Sequence, residues 1–206
     1  MSPFQLPVSI QSLTITAPNM MVYYPRVEEV KNKLAQQKIN DTIVHRVYGL
    51  IQEQGYYKNP ANTQVTGQYE IKSNERGILS LTLSNYTYIT HHAHGMTLLP
   101  SLTFDIQTAR LYPLRDLFKP GSDYAGRLSA IIGAQIKRRN ISLLEPFKGI
   151  RPDQDFYIAD KALIVYFKLY EITPYYYGFP MFPISVYELE DIIDENGPLG
   201  KMLPSE

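Results

Sequence analysis

Three of the chain's four histidines fall within four positions, His91, His92 and His94. On an extended strand, side chains two residues apart project from the same face, so His92 and His94 form a pair able to ligate Zn²⁺ or Ni²⁺. A stable metal site needs a third or fourth ligand, and the neighbouring residues supply none, so no metal is assigned; His92 and His94 are the candidates should one bind. The competing reading is structural. His94 followed by Gly95 marks a tight strand entry, with the imidazole hydrogen-bonding to hold the turn and His94 lying on an accessible strand edge.

Carboxylates are the second chemical resource. Asp105, Asp116, Asp160 and Glu171 could supply the pair that glycoside hydrolysis needs across a scissile bond, and a hydrolase would combine His94 with Asp105 or Glu171. Asp105 before a polar turn and Asp116 after Arg115 also fit as turn and cap residues, whose side chains bond neighbouring amides. The sequence contains no G-x-S-x-G, P-loop, H-E-x-x-H or G-x-G-x-x-G motif, so no catalytic residue and no cofactor is expected.

The sharpest recognition signal is the aromatic run Tyr170, Glu171, Tyr175, Tyr176, Tyr177 and Phe179, bounded by Pro174 and Gly178. Successive aromatics in a Pro/Gly-bounded loop cannot all point inward. Exposed tyrosines offer rigid amphipathic contact area for a protein surface or for stacking on sugar rings. An aromatic corner packed over a sheet is the alternative.

These residues must be positioned by elements that the periodicity suggests. Residues 8–16 alternate as a strand, and a second extended piece, 20–24, ends at Pro25. From Val27 the spacing becomes helical through Val30, Leu34, Ile43, Val47 and Leu50, giving a long helix that ends before Gly55. Residues 64–72 and 78–90 read as a hairpin across residues 73–77. In its second arm Leu79, Leu81 and Leu83 share one face, while Ile78, Ser80, Thr82, Ser84 and Tyr86 share the other, so the sheet is covered on one side. An extended stretch at 98–106 follows, then a turn at 107–110. Asp123 caps a helix to about Arg139, where Lys137, Arg138 and Arg139 complement the macrodipole. Residues 156–159 and 163–170 form a last hairpin, with a short helix at 187–193. The expected fold is α+β, an antiparallel sheet with two main helices packed on one side. It divides into residues 1–90 and 91–206 within one compact unit.

Composition narrows the classes. The 206 residues, 44% of them hydrophobic and 19% charged, are ordinary for a globular chain. Twenty basic residues balance twenty acidic ones, leaving no global field to draw in nucleic acid. No apolar run reaches the roughly 18 residues of a membrane span. The opening MSPFQLPVSI has neither a basic n-region nor an apolar h-region. Cysteine is absent, which removes disulfides and thiolate sites but fits cytosol and a Gram-positive envelope equally. Tyrosine is abundant, 17 residues against no tryptophan.

Beyond periodicity, the ordered series Tyr86-Thr87-Tyr88, Ala93-His94-Gly95, Phe104-Asp105, Leu114-Arg115-Asp116-Leu117-Phe118, Phe156-Tyr157-Ile158 and residues 166–175 resembles a family of bacterial domains of unknown function. That family is similar to the lysozyme-binding extracellular part of the Bacillus anti-sigma-V factor, the accessory domain of some peptidoglycan deacetylases and a mycobacterial secreted immunogenic protein. Tyr24-Pro25 before a helix bearing Lys38-Ile39-Asn40 resembles the companion domain that usually precedes it. The resemblance implies a non-catalytic, extracellular or envelope-facing module that binds lysozyme or a peptidoglycan fragment. Two departures stand out: His91-His92 replaces glycines that commonly precede the Ala-His motif, and the family's usual export signal or membrane anchor has no counterpart in the opening residues.

Overall fold

The computed structural model describes residues 7–203. The chain divides into two compact units, the first running to Leu111 and the second starting at Tyr112. Both are α+β, but each has its own sheet and its own helix.

In the first unit, strands β1 (Ser9–Ala17) and β2 (Met20–Glu28) form an antiparallel pair. Helix α1 (Lys33–Glu53) then crosses over to β3 (Thr63–Glu75), which lies parallel to β2 over Met20–Val22. β2 runs past the Pro25 at which the pattern predicts a break. Beyond Val22 it pairs only with β1, so the missing proline amide leaves no ladder partner unmet. α1 also starts six residues later than the apolar spacing suggests. The Asn40 side chain accepts from the Val27 amide at 2.8 Å and donates to the Val27 carbonyl at 3.0 Å, which holds Val27 extended as a neighbouring strand would. Asn32 then caps the helix by accepting from the Ala35 amide.

β3 and β4 (Ile78–Ile89) form a long hairpin around a two-residue loop. Arg76 (φ 50°) and Gly77 (φ 77°) are both left-handed, the backbone that matches strand twist in so short a connection; the strands therefore extend further into residues 73–77 than their polarity suggests. The other edge of β4 is shared by β5 (Met96–Leu98), opposite Asn85–Thr87, and β6 (Ser101–Asp105), opposite Ile78–Thr82. These pairings carry the first unit past His91 to Leu111.

Leu79, Leu81 and Leu83 pack with Ile39, Ile43, Val47 and other buried residues of α1, β2 and β6 in one core. On the opposite face of β4 the expected polar exposure holds only in part. Ile78, Ser80 and Thr82 are buried, with the Ser80 and Thr103 hydroxyls bonded at 2.8 Å, and exposure begins beyond them at Ser84 and Tyr86.

In the second unit, Asp123 accepts from the Gly126 amide at 2.9 Å and starts α2 (Tyr124–Arg138), as its position before the helical spacing predicts. Strands β7 (Phe156–Ala159), β8 (Ala162–Tyr166) and β9 (Met181–Ser185) form an antiparallel sheet with β8 central. The basic end of α2 acts structurally: Arg139 donates to the Met181 carbonyl at 2.8 Å and lies over the Phe182 ring at 5.2 Å. The helix expected at 187–193 is a 3-10 turn, Val186–Leu189. Ser185 and Glu188 complete its capping box, but the turn is too short to propagate as an α-helix.

Gly67 tests the packing of the β2–β3 contact. A Cβ there would sit 2.5 Å from Val22 Cγ1 and 2.7 Å from Asn85 Oδ1. Gly67→Ala is expected to lower stability by about 1–3 kcal/mol, the usual range for overpacking, read as a reduced midpoint in urea with an unchanged slope.

Candidate functional site

β8 ends at Tyr166, four residues before the apolar pattern does, because a carboxylate turns the chain. Glu171 accepts from the Lys168 backbone amide at 2.7 Å, and the Glu171 amide donates to the Lys168 carbonyl at 3.1 Å. The intervening Tyr170 is forced into a left-handed backbone with φ 64°, unusual for a bulky residue and tolerated only where surrounding contacts over-determine it. Glu171 also pairs with Arg151 and lies 3.4 Å from the Gln154 amide, which in turn donates to the Tyr166 carbonyl at 2.8 Å. The anchor reaches back to the segment before β7.

Residues 167–180 thus form a closed loop between β8 and β9. The Phe167 amide donates to the Pro180 carbonyl at 3.1 Å across its base, and the Leu144 amide to the Ile172 carbonyl at 2.9 Å on its flank. Phe167 is buried and meets Phe182 edge-on at 5.7 Å and Phe147 at 6.0 Å. Pro174 leads into a 3-10 turn, Tyr175–Tyr177, ended by Gly178 at φ 77°, ψ −140°, a backbone region that is essentially reserved for glycine.

On this frame the aromatics sort themselves. Tyr170 stacks on Tyr175 with ring centroids 5.5 Å apart, Tyr177 and Phe179 are half-buried, and Tyr176 stands 79% exposed. The loop is neither a buried corner nor a set of free side chains. It is a braced platform with one ring projecting.

The histidine cluster lies in the first unit. His91, His92 and His94 are exposed, and His91 is left-handed at φ 72°. His92 and His94 border a cavity of about 270 Å³ with Glu53, Gln54, Thr87 and Met96. Among the described residues, no group of three His, Cys, Asp or Glu side chains is arranged to hold a metal ion. His94 Nδ1 lies 2.9 Å from the Gly95 carbonyl oxygen, the turn-holding contact that the His-Gly pair suggests.

The hydrolase pairing meets a geometric obstacle. Asp105 sits opposite Ile78, whereas Met96, just after His94, sits opposite Thr87. The two ends of β4 are roughly 30 Å apart at about 3.3 Å per residue. Asp105 is moreover occupied as a turn residue, accepting from the Gln107 and Thr108 amides at 3.0 and 2.9 Å, and Glu171 is occupied by the loop anchor.

Sequence reasoning passed over Arg151, Gln154 and Asp155, whose role depends on contacts with residues 12 to 20 positions away. The one available signal was the density of charge in Arg151-Pro152-Asp153-Gln154-Asp155. Asp155 lies 3.7 Å from Arg151 and 3.6 Å from Lys168, too far for hydrogen bonds, and its Oδ2 is buried without a hydrogen-bond partner. Burial pushes its carboxyl above the ordinary carboxylate value, against the opposing pull of Lys168 and Arg151.

Comparison with known proteins places both halves of the chain. A family model described as a protein of unknown function (DUF3298) matches residues 115–187, and one described as Deacetylase PdaC matches residues 17–97. The peptidoglycan-N-acetylmuramic acid deacetylase PdaC of Bacillus subtilis is 23% identical over 186 residues, covering 86% of this chain and 39% of that protein. The anti-sigma-V factor RsiV of the same organism is 28% identical over 184 residues, covering 82% of this chain and 63% of that protein. The chain therefore spans less than two thirds of either relative. Two solved structures share the fold. A DUF3298-family member from Bacteroides fragilis has a TM-score of 0.71 at 14% identity, covering 95% of this chain and 97% of that one. One from Pseudomonas aeruginosa has a TM-score of 0.70 at 16% identity, covering 98% of each. The resemblance to both domains holds, with the Tyr166–Tyr175 motif inside the DUF3298 match and Ala93-His94-Gly95 inside the stretch matched by the PdaC model rather than the DUF3298 one.

Asp155 gives a pH-dependent prediction. Because its folded pKa is raised, the folded state binds the proton more tightly than the unfolded chain. The ionised group therefore costs stability at neutral pH, and the cost fades as pH falls through the folded pKa. Asp155→Asn is expected to melt at or above the wild-type temperature at pH 7, with the gap closing at acid pH. A variant less stable at pH 7 than at pH 4, relative to wild type, would show that the Arg151 and Lys168 attractions outweigh burial.

Proposed function

We propose that this chain is a non-catalytic recognition module of a cell-envelope-related family, and that the 167–180 loop is its contact surface for a protein ligand of the lysozyme type. The observation that carries the reading is Tyr176, 79% exposed on a backbone fixed at both ends. A large ring held out on a rigid frame loses little entropy on binding, which is why tyrosines concentrate at interface hot spots. Tyr170, Tyr175, Tyr177 and Phe179 form the surrounding surface, and Glu171 fixes it through Lys168 and Arg151; His94, in the first unit, is a separate candidate contact position. The names of the relatives support the setting: one acts on peptidoglycan and the other is an anti-sigma factor. A peptidoglycan fragment is the other ligand that such rings could stack on, and it serves as the comparison arm of the test.

Biolayer interferometry of the full chain against immobilised lysozyme is expected to give saturable binding that Tyr176→Ala weakens at least about tenfold, the effect of losing roughly 1.4 kcal/mol at a hot spot. Absence of binding at high micromolar lysozyme, or equal binding by the variant, would overturn the assignment. Binding of soluble muropeptides that Tyr176→Ala abolishes, without lysozyme binding, would transfer the loop to glycan recognition.

A further inference from the structure

The first sheet has one face on the core with α1 and another whose outer rows are open to solvent, and the open rows have an unusual composition. The strand registers align Thr16, Met21, Thr66, Tyr86 and Thr97 in one continuous row across five strands. The flanking pairs are Thr14–Tyr23, Gln64–Tyr88 and Gln68–Ser84. All of these residues are exposed or half-buried, and none carries a charge. The first charges on this face of β3 and β4 come with Glu70, paired with Lys72. A typical solvated surface is about 25–35% charged.

The rings on this face are held in place. Tyr86 is 40% exposed on one side; on the other it lies against Gly95, where an added Cβ would fall 2.4 Å from the ring and its hydroxyl. Gly95 has no positive φ, so glycine is needed there for the close approach of the ring. This gives the Ala93-His94-Gly95 motif a purpose beyond its turn: it forms the bed on which Tyr86 rests. Tyr23, 43% exposed, donates its hydroxyl to the Met21 sulfur at 3.3 Å, which fixes a second ring along β2.

From this arrangement we infer that the open face of the first sheet binds a neutral polysaccharide strand of N-acetylated or unmodified hexoses. Such a ligand is flat, has apolar C–H faces to lie on tyrosine rings, and has hydroxyl and amide groups to exchange hydrogen bonds with Thr, Gln and Ser. It needs no counter-charge. A second copy of the chain fits less well, because self-associating interfaces bury a predominantly apolar centre and here three of the five residues in the central row are threonine. The inference shares the envelope setting of the proposed function but uses a different surface.

The test is an isotope-edited NMR titration of the full chain with chitohexaose, the β-1,4-linked N-acetylglucosamine hexamer, with affinities from calorimetry. Saturable shifts are expected in residues 14–23, 64–68 and 84–97. Tyr86→Ala and Gly95→Ala should each weaken binding roughly 3- to 10-fold, the range of a lost ring contact, while Tyr86→Phe retains it. Thr66→Lys, an exposed change that leaves the core untouched, should weaken binding as well and guards against misfolding of the Gly95 variant. Sugar-induced shifts confined to residues 167–180 would point to the loop instead, so failure of the loop assignment and failure of this one remain separable. No saturable shift at millimolar sugar, unchanged affinity in both Tyr86→Ala and Thr66→Lys, shifts confined to other residues, or a sugar-independent dimer covering this face would each overturn the inference.

Discussion

Strand β4 has to satisfy neighbours along its whole length, and the first unit is built around that requirement. On one edge it pairs with β3 from Ile78 to Ile89; on the other it is shared between β6 and β5. Backbone polar groups in a central strand must all be paired, so the chain between β4 and β6 has to double back through the His91–Gly95 turn and Pro100. The positions of His94 and Gly95 follow from this demand. The same strand fixes the polarity of the unit, with Leu79, Leu81 and Leu83 held against α1 and Ser84, Tyr86 and Tyr88 turned the other way.

In the second unit a single carboxylate has the comparable role. Without the Glu171 bonds to Lys168 and Arg151, the apolar run that begins in β8 has no reason to stop at Tyr166, and an ordinary strand would continue through Tyr170. The carboxylate converts the continuation into a loop and places Tyr170 in a backbone conformation that isolated tyrosine avoids. Hydrogen bonds to a charged group are worth more than neutral ones, and Glu171 makes them to both Lys168 and Arg151, which makes the strained residue sustainable. The adjoining Asp155 shows the opposite balance, with a burial cost that its two cationic neighbours offset only in part.

Much of this architecture could be read from the sequence where the signal was local. The Asp123 cap, the β7–β8 hairpin, the β3–β4 hairpin and the alternation along β4 depend on residues within a few positions of each other. The misplaced boundaries share a different cause. The late start of α1 depends on Asn40 reaching back to Val27, the early end of β8 on Arg151 meeting Glu171, and the uninterrupted passage through Pro25 on which edge of β2 is paired. In each case a side chain distant in sequence, or the sheet order itself, overrides the local propensity. The aromatic loop was visible as composition. Its rigidity was not, since that depends on Arg151, Gln154 and the ladder bond at Pro180.

The glycines separate these two kinds of information. Gly77 and Gly178 occupy left-handed backbone, so the turn around each gives it away in the sequence. Gly67 and Gly95 do not: a side chain at either would collide with Val22 and Asn85 in the first case and with the Tyr86 ring in the second. Steric glycines of this type record which surfaces approach each other closely, a fact of tertiary packing with no local signature. That Gly95 belongs to this class changes the meaning of the Ala-His-Gly motif. Its histidine holds the turn through its own neighbour's carbonyl, while its glycine leaves room for a ring that faces solvent. A ring seated this closely on backbone has little freedom to lose when a ligand covers its other face, and rigid aromatic contact area of that kind favours recognition over general solvation.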